Sequence, residues 1–462
     1  MVFTRRHSIT AATGLMAGLA MLQSCSSEAD YTAFQALAPQ GAEVKVLDNA
    51  TLIDGSGSGP APNSRLVVVD GRIRYAGPAS GMAVPPNVEK TDLSGKFIIP
   101  GIINIHGHLG NVVGLVQDPK NFTAENLTAQ LSTYASYGVT SVVSMGSDQP
   151  LIFQFRDQQR AGRPRTTRIF TAFRGFTGKD GYPTKAPGMA GVPFEVSRPE
   201  EVEAAVKELA EHKVDLVKIW VDDHLGKEKK IPIELCKVII SEAHKHGLKV
   251  AAHVFYLDDA KQLVDAGLDG LVHSVRDKPV DAELINLMKN RGAWQAAATF
   301  TREASTFIYA KPSGMLNDPF FTRSISAETL ATLKSEDFQK KAAANPDTQV
   351  FPEFLKTAQQ NLRRLAEADV KYAFGTDSGP PTRFPGYFEH WEMELMADAG
   401  LTPRQIISSF SKNAAEFLGV SKDLGTLEPG HWADLIVLEK DPMADIRNCR
   451  SIASVYIAGN KI

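Results

Sequence analysis

The sequence predicts an α/β fold: a (β/α)8 TIM barrel joined to a small β-sandwich domain built from both termini. Three observations predict it. Between about residues 98 and 420, short apolar strand patterns alternate with amphipathic helical ones, the signature of successive βα units. On either side, 44–97 and 421–462 carry short strands parted by Gly and Pro turns. Histidines, a lysine and an aspartate fall at the ends of the predicted barrel strands, where such barrels place their chemistry.

The chain has 462 residues, 43% hydrophobic and 22% charged, which suits a soluble barrel with an accessory domain. Its net charge of -3 leaves no broad basic field, so nucleic acid is excluded as a partner.

Residues 1–24 read as an export signal. Arg5-Arg6 precede an apolar run from Ile9 to Leu22 that is too short to span a membrane comfortably. The following Leu22-Gln23-Ser24-Cys25 resembles the lipobox of bacterial lipoproteins, in which Cys25 is lipidated and becomes the first mature residue. An ordinary signal peptide with an incidental cysteine is the other reading. Thr4-Arg5-Arg6 also hints at twin-arginine export. The expectation is an exported protein of the cell envelope, held to the membrane by an N-terminal lipid anchor, with 25–43 as a polar tether. Cys236 and Cys449 lie in segments assigned to different domains, so buried free thiols are expected rather than a disulfide.

The β domain begins with Val44-Lys45-Val46-Leu47 and a strand pair around Asp70-Gly71, a hairpin signal. It resumes with Ala433-Asp434-Leu435-Ile436-Val437-Leu438 and ends near Ser454-Val455-Tyr456-Ile457. The barrel strands are expected at 98–106, 139–145, 168–173, 215–221, 248–253, 268–273, 293–298 and 370–377. Helical patterns fill most gaps, as at 199–213 and 232–246. The long connection 299–354 reads as a lid or substrate wall, or as a helical insert without that role.

His106 and His108 close the first barrel strand. Residues two apart on a strand share a face, so the two imidazoles can converge on one metal. Lys218 sits inside an apolar run of the fourth strand. His253 ends the fifth, His273 the sixth and Asp377 the eighth. Singly, each has an ordinary explanation: a paired lysine, a core histidine, a helix-capping aspartate. Their joint placement at strand ends argues for a site. His244 and His246 have the same spacing as the first pair, but they sit on a helix beside Gly247 and read as cations at its C-terminus. His212, His390 and His431 read as structural. The Gly-rich loop 174–183 is expected to shape the pocket.

With these residues in view, the chain resembles the metal-dependent amidohydrolase superfamily. The resemblance rests on the split β domain, the Pro100-Gly101-x-x-x-x-His106-x-His108 strand, the later Lys218, His253, His273 and Asp377, and the closing Gly425-to-Leu438 segment. It is nearest to the prolidase and imidazolonepropionase-like group. That resemblance implies two divalent metal ions, zinc being the default for N/O ligands. His106, His108 and Asp377 would hold one, and His253 and His273 the other. A CO2-derived carbamate on Lys218 would bridge them, its apolar strand keeping the amine neutral enough to react. A hydroxide between the metals would attack an amide carbonyl, with Asp377 carrying the proton to the leaving amine. Tyr256 would contact substrate or the oxyanion, or else pack. Arg276 would clamp a substrate carboxylate, or pair with Asp277 or a neighbouring loop. The expected substrate is a small molecule or short peptide: an Xaa-Pro or other dipeptide, or an N-acyl amino acid. Lactones, cyclic amides or organophosphate esters are the alternative for the same centre, and a non-catalytic ligand-binding surface lipoprotein is the reading of another class.

Overall fold

The computed structural model describes residues 30–311 and 314–462. The export signal and Cys25 lie outside the described residues. Among the described residues no helix is long and apolar enough to cross a membrane. The stretch expected to be a tether contains a short helix, Thr32–Leu37, whose Phe34 is buried among Val46, Val67 and Val69. Leu37, Ala38 and Ala42 pack beside it and hold the segment to the domain.

Both ends of the chain build one mixed sheet. Its strands run in the order Asn460–Lys461, Ile452–Ile457, Leu435–Leu438, Phe97–Pro100, Val44–Leu52, Ala61–Val69 and Arg72–Pro78. Successive side chains of a strand point to opposite faces. Leu66 and Val68 accordingly join a core with Leu47, Ile98 and Leu435, while Val67 and Val69 join another with Val46. Both faces of the sheet are therefore apolar and covered.

The expected strand 98–106 divides at Pro100-Gly101. Phe97–Pro100 pairs antiparallel with Leu435–Leu438 in the β domain, and Ile102–Gly107 pairs parallel with Val139–Ser144 in the barrel. Gly101 is needed at this crossing: a Cβ there would lie 2.2 Å from the Thr140 side chain.

The barrel strands pair in parallel. Arg168–Thr171 lies on Val139–Ser144, and Val217–Trp220, Val250–His253, Gly270–Leu271 and Trp294–Gln295 follow one another. Phe176–Gly178, within the Gly-rich loop, and Phe194–Val196, beyond it, extend this second sheet. The eighth position, 370–377, is not a regular strand. It closes the ring through single bridges, Gln295 with Tyr372 and Gly107 with Ser378, and through Ile105 N–H to Phe374 O at 2.9 Å. Asp377 has φ 58°, which no extended strand allows, so the chain turns there.

The described residues of 299–354 include the short helices Phe300–Ser305, Ala327–Lys334 and Glu336–Ala344 and the start of the long helix Asp347–Glu367. They carry an apolar core of their own, in which Tyr309, Phe321 and Leu333 pack with Tyr137, Phe384 and Phe388. Cys236 and Cys449 are buried free thiols.

Candidate metal centre

The strand-end residues meet. His106, His273 and Asp377 offer ligand atoms that all lie within 4.8 Å of one another. His108 Nε2 is 2.9 Å from Asp377 Oδ1. Lys218 Nζ is 3.3 Å from His106 Nε2, and the His253 and His273 rings are 3.9 Å apart. All six side chains are buried except His108, which is half-buried. Parallel pairing makes this possible: the register Trp220 with His253 aligns neighbouring strand ends on one rim.

Hydrogen bonds orient each imidazole. His106 Nδ1 donates to Val272 O at 2.8 Å. His273 Nδ1 lies 2.7 Å from Thr299 Oγ1, which spends its own proton on Ala298 O and so accepts. His253 uses the other nitrogen, donating Nε2–H to Asp222 Oδ2 at 2.7 Å. A carbonyl, an occupied hydroxyl and a carboxylate can only accept, so these three partners place the protons. His108 Nδ1 meets Ser147 Oγ at 2.8 Å. Each ring thus keeps one nitrogen for a metal, the arrangement that second partners create in metal sites.

The electrostatics agree. Burial pushes His253 down to about 3, against the pull of Asp222, and drives His106 and His273 well below the usual range. The rings are neutral, as ligands must be. Burial also pushes Lys218 down to about 7. For Asp377 burial acts upward, but Arg383 and the two neighbouring histidines outweigh it and hold the carboxyl well below its ordinary value. One carboxylate and a set of neutral nitrogens suit a divalent cation.

Two expected substrate residues are placed elsewhere. The Tyr256 hydroxyl donates to Asp223 Oδ1 at 2.7 Å, and the residue caps helix Leu257–Asp265, off the cleft wall. Arg276 is 1% exposed. Its Nη1 donates to the carbonyls of Val254 and Ser274, its Nε lies 3.1 Å from Glu303, and its guanidinium covers the Phe255 ring. It stands as a buried cation paired with Glu303, off the wall of the cleft.

In their place the cleft, about 620 Å³ and open to solvent, is bordered by Tyr182 and Arg383. Tyr182 belongs to the Gly-rich loop, brought in by its N–H to Lys229 O at 3.1 Å, and its ring stands 5.3 Å from that of His253. Arg383 Nη1 bonds Asp377. Asp222 directly follows the fourth strand, so the strand-end rule that finds Asp377 would have found it too. Arg383 had no such local signal.

The sequence profile of the amidohydrolase family matches residues 97–462. The chain belongs to the amidohydrolase family. It is a hydrolase acting on C–N bonds. Among curated proteins it is 26% identical to an ochratoxinase of Aspergillus niger, over 88% of this chain and 83% of that one. It is 25% identical to an imidazolonepropionase of Stenotrophomonas maltophilia, over 85% of this chain and 90% of that one. The crystal structure of an Xaa-Pro dipeptidase with bound methionine shares its fold, with a TM-score of 0.71, 22% identity, and coverage of 91% of this chain and 100% of that one. The barrel with its accessory β domain is thus the fold of this amidohydrolase.

Proposed function

We propose that this amidohydrolase carries two divalent metal ions and cleaves an amide bond in a small substrate, an Xaa-Pro or other dipeptide or an N-acyl amino acid. The observation that carries the reading is Lys218, fully buried and within 3.3 Å of the imidazole of His106. A neutral lysine amine adds to CO2: a C–N bond forms, one N–H proton leaves to solvent, and the product is an anionic carbamate. Together with Asp377 it supplies the negative charge that two dications at one centre require. His106, His108 and Asp377 would hold one ion, His253 and His273 the other, and the Lys218 carbamate both. Zinc fits this donor set. Bound ions of this kind supply Lewis acidity at the carbonyl and lower the pKa of water.

The chain's own groups do the rest. Asp377, kept ionised, accepts the proton of the attacking water and hands it to the leaving nitrogen. Tyr182 lines the cleft beside His253 and serves as donor to the carbonyl oxygen, the role the resemblance implied for Tyr256. The ochratoxinase relative and the shared fold of the dipeptidase support an amide substrate. The N-terminal Arg5-Arg6, apolar run and Cys25 support export and lipid attachment in the cell envelope.

The test is metal analysis after reconstitution with zinc and bicarbonate, followed by turnover of dipeptides and N-acyl amino acids beside lactones and phosphotriesters. Two metals per chain and amide turnover are expected. Activity on esters alone would overturn the substrate reading.

A further inference from the structure

We propose that Arg383 and the apolar cleft beside it form a subsite for the leaving-group amino acid, its carboxylate on the guanidinium and an apolar side chain in the cleft. The inference rests on the reading of Asp377 as the group that protonates the leaving nitrogen. In an amino acid the carboxylate carbon is two bonds from that nitrogen. The group that protonates the nitrogen and the group that takes the carboxylate must therefore be neighbours. Asp377 and Arg383 are neighbours through a direct ion pair.

Arg383 is also the one permanent cation on the wall of the metal cleft among the described residues. Nη1 alone is engaged, by Asp377; Nε and Nη2 make no hydrogen bond among the described residues. The side chain is 20% exposed. A guanidinium fork with an open edge is the natural receptor for a carboxylate.

The residue is held ready. Gly379 N–H donates to Arg383 O at 2.8 Å, and Arg383 N–H to Pro380 O at 3.0 Å, so the loop closes on itself around two prolines. The Tyr309 hydroxyl donates to Thr382 O at 2.7 Å and ties the loop to the helical insert. Little conformational freedom is lost when such a residue binds a ligand.

A second cleft, of about 760 Å³, shares Val112, Pro380 and Arg383 with the metal cleft; further on, Val113, Ile325 and Phe384 give it an apolar stretch among polar side chains such as Gln130, Ser324 and Thr329. Val113 is 53% exposed, a large apolar residue left uncovered beside the one cation. A ligand with a carboxylate and an apolar side chain on the same carbon meets both features at once.

The test uses a probe that cannot be hydrolysed, the ketomethylene analogue of N-acetyl-L-leucine, in which CH2 replaces the amide N–H. Calorimetry on the zinc- and bicarbonate-loaded protein compares this acid with its carboxamide and with the aspartate counterpart. The acid should bind about tenfold tighter than the carboxamide, the size expected of a hydrogen-bonded charge pair. It should also bind tighter than the aspartate counterpart. Arg383→Gln should bring the acid-to-carboxamide ratio near one with metal content unchanged, and Arg383→Lys should restore part of it. A wild-type ratio near one, or a ratio retained in Arg383→Gln, would overturn the assignment of Arg383. Equal binding of the leucine and aspartate probes would overturn the apolar cleft. Binding with the expected ratio but no turnover of any amide would sink the proposed reaction and leave the subsite standing.

Discussion

His253 donates its Nε2–H to Asp222 Oδ2 at 2.7 Å, with both side chains nearly sealed from solvent, 3% and 4% exposed. That one bond decides which nitrogen of the ring is free. Behind it, Arg276 Nη2 stands 3.9 Å from the same carboxylate oxygen, so the carboxylate is itself compensated. Burial acts to raise the Asp222 carboxyl, and its bond to His253 and the charge of Arg276 outweigh that. Asp222→Asn keeps the shape but removes the charge that fixes the tautomer. We expect zinc affinity to fall about 10- to 100-fold, read by chelator competition. Retained affinity would make Asp222 a bystander.

Lys218→Ala removes the proposed carbamate and with it the link between the metals. The expected outcome is no more than one metal per chain after reconstitution. Turnover should fall by at least about a thousandfold, because the carbonyl loses several kcal/mol of charge stabilisation. Metal analysis and kcat on the same sample check it. Full turnover in the variant would end the carbamate reading.

The pH dependence of loading follows from Lys218. Burial lowers its pKa from 10.5 to about 7, so the reactive amine appears in the folded chain as pH rises through 7. The sign for stability is the same. Between about 7 and 10.5 the unfolded chain holds a proton that the folded chain lacks, so the metal-free protein gains stability from this group as pH rises. Below about 7 both states are protonated, and the penalty for burying the ammonium is felt in full. At pH 6 about a tenth of the amines are neutral, against about nine tenths at pH 8. At equal dissolved CO2, carbamate-dependent zinc uptake should be roughly ninefold faster at pH 8, and Lys218→Ala should show no CO2 dependence.

For the N-terminus, expression of the full chain in a bacterium should give a membrane-associated, palmitate-labelled protein. Cys25→Ser should abolish the label. Labelling of neither form would leave an ordinary signal peptide as the reading.

What the sequence makes legible is local. His106 and His108 are found by alternation along one strand, and His253, His273 and Asp377 by their place at the ends of apolar runs. The eighth run, 370–377, is apolar as a strand should be, yet it bridges its neighbours only at single residues. At Gly375 a Cβ would lie 2.7 Å from Ala297 Cβ, a closeness of approach that no pattern of apolar residues records. Contacts that depend on register or on loops stay hidden for the same reason. Asp222 reaches His253 because Trp220 pairs with His253 across two strands. Arg276 is drawn inward because its N–H bonds Phe255 O at 3.1 Å and Glu303, from the helical insert, meets its charge. Neither partner is visible from the residues beside it.

Tyrosine makes the same point and supplies the sharpest test. Tyr256 follows a metal-site histidine closely in sequence, but its hydroxyl is spent on Asp223, and burial, with that bond, pushes its pKa well above the ordinary phenol value. Tyr182 lies some way before the fourth strand, yet it borders the metal cleft against His253. If Tyr182 donates to the carbonyl oxygen as charge develops there, Tyr182→Phe should lower kcat about a hundredfold or more with little change in KM, the cost of one such donor. Tyr256→Phe loses a hydrogen bond to a carboxylate at the base of a helix, so it should cost about 1 to 2 kcal/mol of stability and leave kcat within about twofold. Thermal unfolding and steady-state kinetics on the two variants separate the roles. The reverse pattern, with kcat falling in Tyr256→Phe and holding in Tyr182→Phe, would mean that the Gly-rich loop only walls the cleft and that Tyr256 turns inward when substrate arrives.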